Sequence, residues 1–282
     1  MTYAQLQFSM IKFYFQAIRI DNILIGMVCC LISFLKVPSN NYLDFFLSLI
    51  IIISLMIASN FINDIYDIKA DKINNPERPL VVQPKLKNNF KISVFILFLI
   101  SCFISFLISS AAFLIVFFSI PILFLYTPLL KGIPLLGNIV VSFYLALVFI
   151  FVELCISNNI EIMILPACFA FGISLVREII KDIEDYKGDK ITKIYTLPVC
   201  LGIKKTIYFV CFLMICFLSF CFSIILLKNN FYYNICVFFL VFMPIFYLIF
   251  FLIKSPTSKS CSEASALLKK ITILGLIIIY II

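Results

Sequence analysis

The stretch LDFFLSLIIIISLMIASNFINDIYDIKAD, residues 43–71, joins a long apolar run directly to three aspartates. A helix needs about 20 predominantly apolar residues to cross the hydrocarbon core of a bilayer, and residues 43–62 form a run of that length. Asp64, Asp67 and Asp71 follow it with the spacing D-x2-D-x3-D. The stretch therefore predicts a membrane-spanning helix that carries a group of carboxylates at one end.

The composition of the whole chain agrees with a membrane location. Of its 282 residues, 64% are hydrophobic and only 13% are charged, and the mean hydropathy is +1.18. A soluble domain has about 45–50% apolar and about 25% charged residues. The composition predicts an integral multi-pass membrane protein that faces the lipid bilayer. It excludes soluble enzymes, secreted disulfide scaffolds and most nucleic-acid binders.

Nine apolar windows of suitable length can be placed along the chain. They predict an all-α membrane protein with nine transmembrane helices and a single domain over residues 1–282. The windows are residues 18–35, 43–62, 92–109, 111–130, 133–156, 160–180, 207–227, 232–253 and 264–282.

The positions of the basic residues give the expected orientation. With nine spans, 20 of the 22 Lys and Arg fall on one side, and only Lys36 and Lys228 fall on the other. Short cytoplasmic loops are enriched in Lys and Arg, so we expect a cytoplasmic N-terminus. We also expect the membrane to be a bacterial or archaeal plasma membrane, an expectation that the charge distribution does not supply. Topology explains much of the net charge of +8, and no nucleic-acid partner is required.

The side chains available for chemistry are few. The chain has no histidine, and its 11 cysteines lie mostly inside apolar runs without a C-x-x-C pair. Sites in which histidine ligates zinc or haem, and nucleophiles activated by histidine, are therefore excluded. Any reaction must rely on carboxylates, Lys, Arg, Tyr or a metal bound by oxygen.

The aspartate spacing of residues 64–71 recurs at Asp182, Asp185 and Asp189, 118 residues later and on the same predicted side. Positions i, i+3 and i+7 of a helix lie within about 60° of one another, so each set forms one stripe of like charge. Solvated helix ends are the ordinary explanation for one such stripe. Two matching stripes favour Mg²⁺, which bridges carboxylates to substrate phosphates, and we expect the stripes to face each other. Interleaved cations could bind the phosphate oxygens.

These motifs resemble those of the UbiA superfamily of intramembrane prenyltransferases. The first motif, within residues 63–79, matches the family's N-D-x2-D-x3-D and the N-x-x-R-P that follows it. The second, within residues 177–189, matches D-x3-D at Asp185 and Asp189, with Asp182 one turn earlier. The resemblance implies a helix bundle with a central cavity. Mg²⁺-bound diphosphate would lie at its cytoplasmic end, and the cavity would open sideways to lipid.

Residues 177–185 and 196–198 are most similar to the digeranylgeranylglyceryl phosphate synthase branch of that superfamily. The resemblance implies an isoprenyl diphosphate donor and geranylgeranyl transfer to geranylgeranylglycerol phosphate. After Arg78 and Pro79, however, residues 80–84 read LVVQP, where the branch usually has a short turn with glycine. An aromatic acceptor of quinone biosynthesis therefore stays open.

The resemblance also assigns roles to individual side chains. In the expected reaction, the metal ions and basic groups stabilise the diphosphate leaving group while an allylic cation or cation-like transition state forms. The expected catalytic residues are Asp64, Asp67, Asp185, Asp189 and Lys131. The expected metal ligands are Asn63, Asp64, Asp67, Asp71, Asp182, Asp185 and Asp189. The expected substrate-binding residues are Arg19, Asn22, Arg78, Tyr126, Lys131, Arg177 and Lys181.

The sequence also bears on three other classes of protein. A secondary transporter would carry ionisable residues near the bilayer midplane, and only Glu153 is a candidate. A CDP-alcohol phosphotransferase would have a glycine after its second aspartate, whereas Ile68 follows Asp67. A non-catalytic scaffold would have no use for two matching stripes. The sequence therefore favours the prenyltransferase.

Overall fold

The computed structural model describes residues 13–228 and 230–281, which form helices and no β-strand within those ranges. A 3-10 turn covers Pro84–Leu86, and π-helical segments cover Tyr126–Leu130 and Phe238–Phe242. The α-helices are α1 Ile20–Lys36, α2 Tyr42–Tyr66, α3 Ile68–Asn74, α4 Pro79–Val82, α5 Lys87–Ile108, α6 Ser110–Leu125, α7 Leu136–Ser157, α8 Ile164–Glu184, α9 Tyr186–Thr192, α10 Leu197–Leu201, α11 Ile203–Lys228, α12 Phe231–Val237, α13 Met243–Lys254 and α14 Ser258–Ile281.

Six helical stretches in the described part of the chain are long and apolar enough to cross a membrane. They confirm an all-helical, integral multi-pass membrane protein. The stretches are Tyr42–Tyr66, Pro84–Ile108, Ser110–Leu130, Leu136–Ser157, Ile203–Leu227 and Phe231–Lys254.

The other three predicted windows also coincide with helices, namely α1, α8 and α14. Helix α1 has only 17 residues. The last turns of α8 and the first turns of α14 contain charged residues. Because length and charge set these helices apart, the count of nine membrane spans stays a prediction. The predicted cytoplasmic N-terminus concerns residues 1–12, and the predicted last span ends at residue 282. Residues 1–12 and residue 282 lie outside the described residues.

Backbone contacts divide the chain into two compact units. The first holds Met1–Leu130 and Val148–Glu161, and the second holds Lys131–Leu147 and Ile162–Ile282. That residues 1–282 form a single domain stays a prediction.

In the first unit, helix α2 packs along α5. The rings of Phe61 and Phe90 stack there with their centroids 4.3 Å apart, and both side chains are buried. The turn from α5 to α6 is made by Ser109, whose Oγ accepts a hydrogen bond from the backbone N–H of Ala112 at 3.1 Å. This N-cap explains why two apolar runs that only Ser109 and Ser110 separate form two helices.

In the second unit, helix α8 packs against α11 and α14. Buried isoleucines of α8, including Ile179, Ile180 and Ile183, belong to an apolar core that these helices share. Gly172 lies where α8 passes closest to the ring of Phe217 on α11. A Cβ atom at this position would stand 2.5 Å from Phe217 Cδ2, so the Phe217 ring packs closely against α8 because residue 172 lacks a side chain.

We therefore expect Gly172→Ala to destabilise the protein by about 1–3 kcal/mol, the usual cost of an added group in a packed core. The measurement is the thermal unfolding midpoint of the purified protein in one detergent. Gly275→Ala on α14 is the matched control, because nothing lies within 4 Å of its added Cβ and alanine favours a helix. A Gly172→Ala midpoint at or above that of Gly275→Ala would contradict the close packing.

Candidate active site

The first aspartate motif lies where helix α2 passes into the short helix α3. Asp67 is the joint between them, with φ −84° and ψ 4°. Helical hydrogen bonds continue through the joint, from Asp67 N–H to the carbonyl of Asn63 and from Asp71 N–H to the carbonyl of Asp67, each at 2.8 Å. Asp64, Asp67 and Asp71 thus follow one another along a nearly continuous helical backbone.

The second motif repeats this arrangement inside the second unit. Asp185 joins α8 to the short helix α9, with φ −83° and ψ 1°. Its N–H bonds to the carbonyl of Lys181 at 2.9 Å, and the N–H of Asp189 bonds to the carbonyl of Asp185 at 3.1 Å. In each unit the middle aspartate stands at a helix joint and the third lies one turn into a short helix. The repeat in the sequence is therefore also a repeat in local structure.

Asp64 forms a buried ion pair with Arg19. The Asp64 side chain is 1% exposed, and its Oδ1 lies 2.8 Å from Nη2 of Arg19. Arg19 precedes α1 with a left-handed backbone at φ 56°, and Asn60 Nδ2 donates to the preceding carbonyl of Ile18 at 3.0 Å. Asn22, half-buried in the first turn of α1, bonds through its N–H to the carbonyl of Arg19 at 2.9 Å. The backbone at Arg19 is thus fixed so that the guanidinium reaches Asp64.

Asp71 is buried beside Asn75 and Arg78. Its Oδ1 accepts a hydrogen bond from Asn75 Nδ2 at 3.3 Å and lies 4.0 Å from Nε of Arg78. Burial raises the pKa of Asp71 to about 6; the charges of Asp67 and Asp64 also raise it, whereas Arg78 and Asn75 oppose the shift. A cation at this position would favour the ionised carboxylate.

Asn63 is held by a residue that the sequence did not single out. Thr127 Oγ1 donates a hydrogen bond to Asn63 Oδ1. Thr127 lies in the π-helical segment Tyr126–Leu130, next to the predicted site residue Tyr126, which is half-buried. An amide oxygen has two lone pairs, so Asn63 Oδ1 keeps one for a cation. In the sequence, Thr127 belongs to the stretch YTPLLK, residues 126–131, which resembles the family at the end of an apolar run, but no role was predicted for it.

The second motif has polar supports of its own. Asn138 Nδ2 donates to Asp182 Oδ2 at 2.8 Å, and the charges of Lys131 and Asp189 also act on Asp182. Thr196 Oγ1 donates to Asp189 Oδ2 at 3.3 Å, and Asp189 is 1% exposed. Asn138 is buried as well and was not predicted as a site residue. Hydrogen bonds thus hold the predicted residues Asp182 and Asp189, and the charge of the predicted residue Lys131 acts on Asp182.

Two predicted phosphate-binding cations, Arg177 and Lys181, share one carboxylate. Arg177 Nη1 lies 3.1 Å from Glu178 Oε1, and Lys181 Nζ lies 3.0 Å from Glu178 Oε2. Glu178 was not among the predicted site residues. Its spacing of three residues from Lys181 on a helix allows this contact. Both cations are therefore positioned by an anion on the same helix.

The donor set at the first motif fits an oxygen-ligated divalent cation. Oδ2 of Asp64 is buried and has no hydrogen-bond partner, which is costly unless a ligand satisfies it. Within the described ranges, no group of three or more Asp, Glu, His or Cys stands close enough to form a closed metal cage. Mg²⁺ suits such an open set, because it keeps several waters and combines one or two carboxylates with substrate phosphates.

Comparison with known proteins places these features in context. The profile of the UbiA prenyltransferase family matches residues 23–271. The digeranylgeranylglyceryl phosphate synthase of Saccharolobus solfataricus is 32% identical over 272 residues, which cover 95% of each chain.

Two solved structures resemble the chain over nearly its whole length. One, from a study of digeranylgeranylglyceryl phosphate synthase in membranes, has a TM-score of 0.72 and 29% identity and covers 96% of this chain and 97% of that one. The other is a UbiA homolog of Archaeoglobus fulgidus bound to GPP and Mg²⁺, with a TM-score of 0.67, 17% identity and coverage of 95% and 99%. At that identity the second likeness shows the fold alone.

Proposed function

Because the chain belongs to the UbiA prenyltransferase family and is a prenyltransferase, we propose that it transfers a geranylgeranyl group from geranylgeranyl diphosphate to geranylgeranylglycerol phosphate. One observation carries the choice of acceptor. The chain matches a digeranylgeranylglyceryl phosphate synthase over 95% of both lengths. Family membership also sets aside the transporter and the scaffold.

The aspartates of the two motifs hold the metal ions in this proposal. When bound, Mg²⁺ would neutralise the charge that develops on the diphosphate leaving group. Asp64 offers a buried oxygen that has no hydrogen-bond partner, and Asn63 offers an amide oxygen that Thr127 orients. The proposed ligands are Asn63, Asp64, Asp67, Asp71, Asp182, Asp185 and Asp189.

Basic side chains bind the phosphate oxygens in the same proposal. Arg19, Arg177 and Lys181 each contact a carboxylate of the protein. Their ammonium and guanidinium groups are thereby held near the motifs before the diphosphate arrives, which lowers the entropy cost of binding it. Arg78 and Lys131 complete the proposed phosphate-binding set. By family resemblance, Asn22 and Tyr126 face the substrate cavity.

The proposal includes the membrane arrangement. We infer nine transmembrane helices in one domain, with the N-terminus and both motifs on the cytoplasmic side, around a central cavity that opens sideways to lipid. The 20 basic residues assigned to one side support this orientation. With both motifs on that side, a water-soluble diphosphate headgroup would enter from the cytoplasm while its isoprenoid tail stays among apolar helices.

The acceptor is tested by mass spectrometry of lipid products. Membranes that contain the protein receive geranylgeranyl diphosphate, Mg²⁺, geranylgeranylglycerol phosphate and dihydroxynaphthoate, with chelation of Mg²⁺ as control. We expect a Mg²⁺-dependent adduct of the glycerol phosphate, because the match to the synthase extends over the whole chain. A prenylated aromatic instead would overturn the acceptor and favour quinone biosynthesis, while leaving the prenyltransferase assignment intact.

A further inference from the structure

A groove lies between helices α5 and α6 of the first unit, apart from both aspartate motifs. Its volume is about 350 Å³, within the usual range of ligand pockets of about 300–1,000 Å³. One lining residue is charged and the others are apolar. The lining residues are Lys91, Val94, Phe95 and Phe98 on α5 and Ile120, Pro121 and Phe124 on α6.

The groove opens toward lipid near one end of both helices. Helices α5 and α6 belong to membrane-spanning stretches and are joined directly at Ser109, so they run in opposite directions. Lys91, near the start of α5, and Phe124, near the end of α6, therefore mark the same end. Phe95 is 64% exposed and Phe124 is 46% exposed. In a membrane, these exposed rings contact lipid, and a lysine so close to the helix end reaches the headgroups.

In the part of the chain that the structure describes, no carboxylate balances the charge of Lys91. Between Arg78 and Val152 the sequence contains no Asp or Glu, whereas Lys85, Lys87 and Lys91 follow one another within seven residues. Among the described residues, none forms an ion pair with Lys91, in contrast to Arg19, which pairs with Asp64. An anion from outside the chain is therefore the natural partner of the Lys91 ammonium.

We propose that this groove binds one anionic phospholipid of the surrounding bilayer. Lys91 contacts the headgroup phosphate, and one acyl chain lies along Val94, Phe98 and Pro121. A phospholipid combines the two features that the groove offers, a negative headgroup at the membrane boundary and an apolar chain directly beneath it. Membrane topology would explain Lys85, Lys87 and Lys91 equally well. A lipid site distinguishes Lys91, because it alone of the three lines the groove.

The test measures lipid retention. The full-length protein is reconstituted in phosphatidylcholine nanodiscs that contain a small fraction of phosphatidylglycerol, and native mass spectrometry counts the lipids that remain bound. We expect one retained phosphatidylglycerol per chain, and about five- to tenfold less retention in Lys91→Gln, the effect of removing one cation near a membrane surface. Lys85→Gln is the matched control, since Lys85 is exposed, as Lys91 is, but lies outside the groove. If the two variants lost phosphatidylglycerol equally, general charge attraction would explain the loss, and the proposed site would be overturned.

A second variant tests the apolar part of the site. Ile120→Trp adds bulk to the groove wall and leaves every charge in place, so this variant should also lose the bound lipid. Full retention would show that the groove holds no acyl chain.

A final experiment adds geranylgeranylglycerol phosphate in competition with phosphatidylglycerol. Preferential retention of that substrate, lost in Lys91→Gln, would overturn a bilayer lipid as the occupant. Thermal unfolding of each variant confirms that it is folded.

Discussion

Prenyl transfer is expected to fall by about a thousandfold or more in Asp67→Ala and, separately, in Asp185→Ala. Loss of metal-ion catalysis costs several kcal/mol of transition-state stabilisation. Each 1.36 kcal/mol changes the rate about tenfold. Each aspartate stands at the joint between a long helix and the short helix that follows it. A truncated side chain there can no longer bind a cation. The measurement is product formation in membranes at saturating Mg²⁺.

The two variants together test whether both motifs act in the reaction. If only one motif held the metal, only one variant would lose activity. Near-normal turnover by either variant at saturating Mg²⁺ would therefore refute the hypothesis that both motifs are required. Both aspartates are partly exposed, so we expect the variants to fold, and thermal unfolding in detergent checks this.

Matched controls remove a carboxylate elsewhere in each unit. Asp44→Asn changes the opposite end of α2, and Glu263→Gln changes an exposed side chain of α14. Neither residue belongs to a motif, so both variants should transfer the prenyl group at close to the normal rate. A large loss in Glu263→Gln would show that the assay responds to general changes of charge.

The positions of the long helices could be predicted because an apolar run leaves a chain in a membrane few alternatives to a helix. All nine windows coincide with helical segments in the described ranges, and the predicted break between residues 109 and 111 lies at Ser109, between α5 and α6. The π-helical segment Phe238–Phe242 could not be predicted, since it interrupts a uniformly apolar run. In α8, helical structure continues beyond the predicted end at residue 180 to Glu184, because charged residues end an apolar window without ending a helix.

The site could be predicted only as far as spacing along the chain allows. The aspartate motifs repeat in the sequence and again in local structure. The contacts of Thr127 with Asn63 and of Asn138 with Asp182 join residues 64 and 44 positions apart, and no local pattern contains such contacts. The same holds for the pair formed by Arg19 and Asp64, 45 positions apart. The sequence suggested Arg19 as a phosphate ligand, but only the structure reveals its carboxylate partner.

That ion pair leads to a prediction about stability. Arg19→Gln should destabilise the Mg²⁺-free protein by up to about 3–5 kcal/mol, because it leaves the carboxylate of Asp64 buried without its nearest cation. Asp64 is 1% exposed, and its second oxygen already has no hydrogen-bond partner. The measurement is the thermal unfolding midpoint in detergent with a chelator and no diphosphate.

Added Mg²⁺ should then stabilise Arg19→Gln more than it stabilises the wild type. In the wild type, the guanidinium of Arg19 lies 2.8 Å from Oδ1 of Asp64, and its positive charge opposes a cation at Oδ2 of the same carboxylate. In the variant that repulsion is absent, so the metal ion binds more tightly and stabilises the folded state by linkage. The double variant Arg19→Gln with Asp64→Asn has no buried charge to compensate. It should recover most of the stability and lose the added response to Mg²⁺. Equal Mg²⁺ responses in the single variant and the wild type would mean that Arg19 and the metal do not share Asp64. Because this readout needs neither donor nor acceptor, it tests the metal site independently of the transferred group.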